Sequence, residues 1–141
     1  MDKNFNPDKQ HTLVKAVSIS GTGLHSGIEV DMTLKPANPG FGYQFQRTDL
    51  PGSPVIKADC DLVTDTARGT TLVKGDCKVS TVEHILAALV GMGVDNCLIE
   101  LNGPEIPIID GSSGPFVDII SKTGVLEQDA AKVWYTIDTN I

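Results

Sequence analysis

No run of apolar residues in this 141-residue chain approaches the length a bilayer span requires, so a transmembrane helix is excluded. Basic residues are sparse and unclustered. With 11 Lys and Arg against 18 Asp and Glu, the net charge of −7 argues against non-specific nucleic-acid binding. The three cysteines, Cys60, Cys77 and Cys97, are odd in number and widely spaced, matching neither a zinc knuckle nor a disulfide framework. Free, mostly buried thiols are expected. The first residues have no apolar core of the signal-peptide type, so a cytoplasmic protein is expected. Only His11, His25 and His84 remain as soft metal ligands. There is no internal repeat and no low-complexity tract.

What is present is an ordinary globular composition, with 40% apolar and 21% charged residues. The length suits one domain, which at this size buries roughly 70% of the surface of its unfolded chain. Residues 11–20 read as a strand, with Leu13, Ala16, Val17 and Ile19 alternating imperfectly with polar residues. The glycine-rich stretch Gly21-Thr22-Gly23-Leu24-His25-Ser26-Gly27 follows. Its spacing is not that of a dinucleotide fingerprint and no helix pattern comes after it, so that function is rejected. Residues 29–35 alternate Val30, Met32 and Leu34 with polar neighbours and should run antiparallel to the first strand. Further short strands are expected around Tyr43 and Phe45, at 55–58, on both sides of Lys74-Gly75-Asp76, and at 96–101.

The densest signal is Ser80-Thr81-Val82-Glu83-His84-Ile85-Leu86-Ala87-Ala88-Leu89. Val82, Ile85, Leu86 and Leu89 share one helical face, and Ser80 with Glu83 fits a capping box, so a helix is expected to end near Gly91 or Gly93. A second helix should open at Pro115, bury Phe116, Ile119 and Ile120, and stop at Gly124. The order implies an α+β fold: a two-layer domain, one mixed, mostly antiparallel sheet with two helices packed on one face. Residues 127–132 read as a linker, and 133–137 as the start of another strand.

Two readings stand side by side at each candidate site residue. Glu83 is either the helix-capping glutamate or a carboxylate that activates water; His84 is either a packed residue or a metal ligand. His25 is either a loop residue bonded to backbone or a ligand or substrate contact. Arg68 lies in a solvated loop or touches an anion, and Asp110 shapes a turn or takes part in catalysis.

Taken together, Ser18-Ile19-Ser20-Gly21-Thr22-Gly23-Leu24-His25-Ser26-Gly27, the helix motif above and Pro104-Glu105-Ile106-Pro107-Ile108-Ile109-Asp110-Gly111-Ser112 resemble a known family. It is the N-terminal domain of UDP-3-O-(3-hydroxyacyl)-N-acetylglucosamine deacetylase, the zinc enzyme of lipid A synthesis. The form Asp65-Thr66-Ala67-Arg68-Gly69-Thr70 most resembles the variant fused to a hydroxyacyl-carrier-protein dehydratase. The resemblance implies a flexible leader over 1–10, the deacetylase N-terminal domain over 11–126, and over 127–141 a linker and the first strand of a second domain. It implies that Glu83 is the general base and His84 one of three zinc ligands. It places His25, Arg68, Gly69 and Thr70 along the cleft, and gives Asp110 a structural role in placing the second helix. The remaining ligands and a general-acid histidine are expected in the second domain, which this chain does not contain, and the UDP-sugar lipid substrate is expected to need both. A helical face bearing Leu86, Leu89, Phe116 and Ile120 would then lie uncovered and drive self-association or docking of a second polypeptide. The chain alone is expected to be inactive; the alternative is a non-catalytic interaction module in which Glu83 only caps its helix.

Overall fold

The computed structural model describes residues 6–139. Along them run β1 (Lys9–Leu13), β2 (Val17–Thr22), β3 (Glu29–Pro36), β4 (Tyr43–Arg47), β5 (Val55–Lys57), β6 (Val63–Asp65), β7 (Thr71–Lys74), β8 (Cys77–Ser80), α1 (Glu83–Gly91), β9 (Cys97–Leu101), α2 (Gly114–Thr123) and β10 (Val125–Ala131). The fold is α+β. The expected single sheet is divided in three: a five-stranded sheet ordered β2-β3-β9-β4-β5, a three-stranded sheet β6-β7-β8, and the pair β1-β10.

The five-stranded sheet is mixed, with β4 and β9 parallel and the other neighbours antiparallel. Its register sets Val17, Leu34, Ile99, Phe45 and Ile56 in one row across all five strands. Apart from half-buried Val17 these residues are fully buried, and they form one core with Ile85, Ala88 and Leu89 of α1 and Phe116 and Ile120 of α2. Period-two burial on the strands and three-to-four spacing on the helices thus meet at one apolar layer. The next row, Ile19, Met32 and Leu101, ends at Arg47, a cation on the core face. Its guanidinium grips Asp49 through Nε (2.8 Å) and Nη2 (2.7 Å), while Nη1 donates to Lys78 O at 2.6 Å. The buried charge is thereby paired, and β8 is fastened to the main sheet. The Arg47 hydrogen bonds also hold the Asp49 carboxyl below its ordinary range.

Both helix ends fall where the glycines predict: α1 closes at Gly91 with Gly93 at φ 73°, and α2 stops at Gly124 with φ 88°. The β7–β8 hairpin turns at Gly75, φ 58°, as a first turn position with a left-handed backbone requires. Other expectations are corrected. Residues 11–20 do not form one strand, because the chain leaves β1 at Leu13 and joins a different sheet at Val17. The segment read as a linker is largely β10, held against β1 by ladder bonds and by Lys9 on Asp129 at 2.8 Å. Residues 133–137 are not a strand; Val133, Trp134, Tyr135 and Ile137 are exposed, and Lys132 lies over the Trp134 ring. Leu89, Phe116 and Ile120 do not form an uncovered face, since they point into the sheet, and Leu86 is half-buried against the same core. No helix among the described residues is long and apolar enough to cross a membrane.

Phe45 is at the centre of the apolar row, so Phe45→Ala is expected to cost about 3–5 kcal/mol of unfolding free energy, measured by urea denaturation. Of the thiols, Cys60 is exposed while Cys77 and Cys97 are buried, and burial pushes Cys97 up to about 12. A thiol reagent added to the native chain near neutral pH should modify Cys60 rapidly and the other two only on unfolding, as read by mass spectrometry.

Candidate functional site

The joint between β8 and α1 decides what the helix presents. Thr81 has φ 60°, a left-handed backbone that a β-branched residue adopts at a cost of about 1–3 kcal/mol. Val82 then takes helical dihedrals and Glu83 is the first helical residue, with no side-chain cap. The expected capping box is therefore not formed. Ser80 is drawn into strand-like pairing instead, its N–H donating to Pro104 O at 2.9 Å and its carbonyl accepting from Ile106 N at 3.0 Å, so the helix begins three residues later.

Released from capping, the Glu83 carboxylate turns to the loop ahead of β7, where Oε2 accepts from Thr70 N at 2.9 Å. Two residues back, Arg68 O accepts from His25 Nε2 at 2.9 Å. A carbonyl only accepts, so Nε2 carries the ring proton of His25. Gly69 lies where these groups converge: a Cβ placed there would be 3.3 Å from Glu83 Oε1, 3.5 Å from Thr81 Oγ1 and 3.8 Å from His25 Nε2. The fold thus brings together His25, Arg68, Gly69, Thr70 and Glu83 from three separate segments. His84, half-buried, follows Glu83 in the first turn.

Asp110 lies close enough to feel the His84 imidazole. Its Oδ1 accepts from Ser112 N at 2.9 Å and Ser112 Oγ at 2.8 Å, and these bonds, with a smaller contribution from His84, hold its carboxyl below the ordinary range. It closes a turn ahead of α2, directly after Ile109, another left-handed residue at φ 55°.

Two residues that sequence reasoning did not single out complete the arrangement. Glu105 is 2% exposed. Its Oε1 accepts from Thr81 Oγ1 at 2.8 Å and His25 N at 3.1 Å, and its Oε2 from Ser26 N at 2.7 Å. Burial pushes this carboxyl up, but the hydrogen bonds from Ser26, His25 and Thr81 together outweigh it and leave it below its ordinary 4.5. The sequence signal was a lone acid between prolines in an apolar stretch; Thr81, whose backbone conformation is the distinctive feature, gave none. Beside this network opens a cavity of about 410 Å3, lined by His25, Ser26, Arg68, Lys78, Thr81 and Glu105 among others, and not by Glu83 or His84. Among the described residues, one group of three ligand-type side chains converges closely enough for an ion: Asp59, Cys60 and Asp61, all exposed and without His84. Asp59 has a structural task there, capping the short 3-10 turn through Asp61 N at 3.0 Å.

Fold and site define a two-layer α+β domain that presents a carboxylate and an imidazole side by side at the start of a helix. The family model described as LpxC, UDP-3-O-acyl N-acetylglycosamine deacetylase, matches residues 10–141, and the chain belongs to that family. It is 51% identical over 133 residues to a bifunctional enzyme LpxC/FabZ of Bacteroides thetaiotaomicron, covering 94% of this chain and 29% of the relative. It is 50% identical over 129 residues to the UDP-3-O-acyl-N-acetylglucosamine deacetylase of Methylococcus capsulatus, covering 92% and 42%. A bifunctional LpxC/FabZ enzyme of Chlorobaculum tepidum is 50% identical over 132 residues, covering 94% and 28%. The chain spans less than half the length of these curated relatives.

Glu105 supplies the clearest pH dependence. Its folded pKa is depressed, so its stabilising contribution is fully present above 4.5 and is lost as pH falls through the lower folded value. Glu105→Gln should therefore be less stable than wild type at neutral pH, with the gap narrowing once the pH drops below 4.5, as followed by urea midpoints.

Proposed function

We propose that this chain is the N-terminal part of a zinc-dependent deacetylase that removes the N-acetyl group from UDP-3-O-acyl-N-acetylglucosamine in lipid A synthesis. The observation that carries the reading is the Glu83 and His84 pair at the first turn of α1, with Glu83 held by Thr70 N instead of capping its helix. The family supports the amide-hydrolase chemistry. The non-catalytic alternative left Glu83 only a capping role, and the carboxylate makes no cap bond, accepting from Thr70 N instead.

In this reading the Glu83 carboxylate takes a proton from the attacking water, oriented by the Thr70 amide so that one oxygen stays available. His84 offers a ring nitrogen to the metal at a half-buried helix start. A catalytic zinc takes three protein ligands, and no other described donor joins His84 in a three-ligand cluster, so this chain fits as the supplier of one ligand. When bound, zinc would supply Lewis-acid polarisation of the amide carbonyl. The other ligands, the proton donor to the leaving amine and the acyl-chain passage are assigned to a second domain, the partner on which the activity depends. His25, through its bond to Arg68 O, holds the edge of the cleft. The relatives named bifunctional LpxC/FabZ are in keeping with the resemblance of residues 65–70 to the fused form, and a relative named as a deacetylase alone is equally similar. In this reading the reaction, on a nucleotide-sugar substrate, is assigned to the cytoplasm.

In the polypeptide of full family length, Glu83→Gln should lower kcat by about 10²–10⁴-fold with zinc retained, while His84→Ala should lose zinc as well. The isolated 141-residue chain should bind zinc weakly and release no acetate from the substrate. Turnover by that chain alone would overturn the assignment of the missing groups to a second domain.

A further inference from the structure

We infer that Glu105 is a positioning residue, which sets the Glu83 carboxylate through two chains of contacts that close on each other. One runs through the helix. Glu105 Oε1 accepts from the Thr81 hydroxyl, and Thr81 is the left-handed residue whose backbone reversal sends the chain from β8 into α1 two residues before Glu83. The other runs through the loops. Both Glu105 oxygens accept from backbone amides of His25 and Ser26, His25 Nε2 donates to Arg68 O, and two residues further on Thr70 N donates to Glu83 Oε2. The ring thus joins segments 23–26, 68–70, 81–83 and 104–106, whose backbones also meet at the bridges of Ser80 with Glu105 and Gly23 with Pro107, at the Thr71–Ser80 end of the β7–β8 ladder, and through Val82 N on Thr70 O at 3.3 Å.

The chemistry favours a carboxylate here over any neutral residue. Thr81 Oγ1, His25 N and Ser26 N all donate to one side chain, and an ionised carboxyl offers two oxygens, each with two lone pairs, and no hydrogen. A glutamine would offer one acceptor oxygen and turn an N–H toward donors. On the Gly23 side the carboxylate is closely packed. A Cβ on Gly23 would lie 2.5 Å from Glu105 Oε2 and 2.3 Å from Ser26 Oγ, so the loop backbone is packed directly on the carboxylate. Glu105 is 2% exposed and shares the cavity lining with His25, Ser26 and Thr81, whereas Glu83 does not line it, so Glu105 reaches Glu83 through His25 and Thr81.

The inference rests on the reading of Glu83 as the base, and a mutant cycle in the full-length polypeptide separates the two. Glu105→Gln should lower kcat by about 10–100-fold, the scale of a misplaced catalytic group, with KM and zinc content near wild type. In a Glu83→Gln background the same change should have no further effect on residual kcat. Thr81→Ala should resemble Glu105→Gln, and Thr81→Ser, which keeps the hydroxyl, should restore wild-type kcat. A second readout needs neither metal nor turnover: in 15N–1H spectra of the chain, the Thr70 amide should move toward its Glu83→Gln position in Glu105→Gln and Thr81→Ala, and stay in place in Thr81→Ser. If Glu105→Gln fails to fold, the Thr81 pair decides by the same two readouts. Equal losses from Glu105→Gln in both backgrounds, or an unmoved Thr70 amide, would overturn the positioning role. Full activity of Glu83→Gln would instead overturn the reading of the base.

Discussion

The parallel pairing of β4 with β9 is the constraint on which the rest of the molecule depends. Two parallel neighbours cannot be joined by a tight turn; the chain must cross back over the sheet. Here the connection comprises residues 48–96, and the face it covers is the one lined by Leu34, Ile99, Phe45 and Ile56. The crossover therefore has to carry an apolar helix face, which α1 supplies through Ile85, Ala88 and Leu89. Its preceding hairpin is held to the sheet by Arg47, whose guanidinium bonds the carbonyl of Lys78. After β9 the chain returns over the same face as α2, in contact with α1. The start of α1 is thus surrounded by loops from before, within and after the crossover.

Local strain gathers at that point. Thr81 and Ile109 both adopt left-handed backbones, one just before Glu83 and the other just before Asp110. Such conformations persist when neighbouring bonds over-determine them. For Thr81 those bonds are the strand-like pairing of Ser80 with Pro104 and Ile106 and the hydroxyl bond to Glu105. A buried carboxylate would ordinarily be destabilising, and it is tolerated because the desolvated charge meets donors from two other segments. The geometry of the Glu83 and His84 pair is accordingly a tertiary property, although the two residues are adjacent in sequence.

Much of the fold was legible in advance because its signals are local. Alternation in 29–35, the apolar run at 96–101, glycines at 75, 93 and 124, and Pro115 at a helix start each correspond to a backbone preference or a burial pattern that neighbours in sequence express. The misreadings occurred where a local signal competed with a distant partner. Ser80 and Glu83 have the spacing of a capping box, but backbone pairing with 104–106 claims Ser80 and the Thr70 amide claims Glu83. Residues 127–132 are polar enough for a linker, and their strand exists because β1 offers an edge to pair with. Leu89, Phe116 and Ile120 read as an outer apolar stripe, yet the five-stranded sheet is what they cover.

The sequence by itself determined the positions of the helices and most strands, and the family, and it named the residues proposed for the chemistry, since all of these are written in residue types and short spacings. Only the tertiary structure decided how the strands divide into three sheets, which way the Glu83 carboxylate turns, and which amides and hydroxyl Glu105 binds. The reason is physical: a capping pattern or an acidic residue states what a side chain can bond to, whereas the partner it does bond is set by which distant amides and hydroxyls the core packing brings within 3 Å or so.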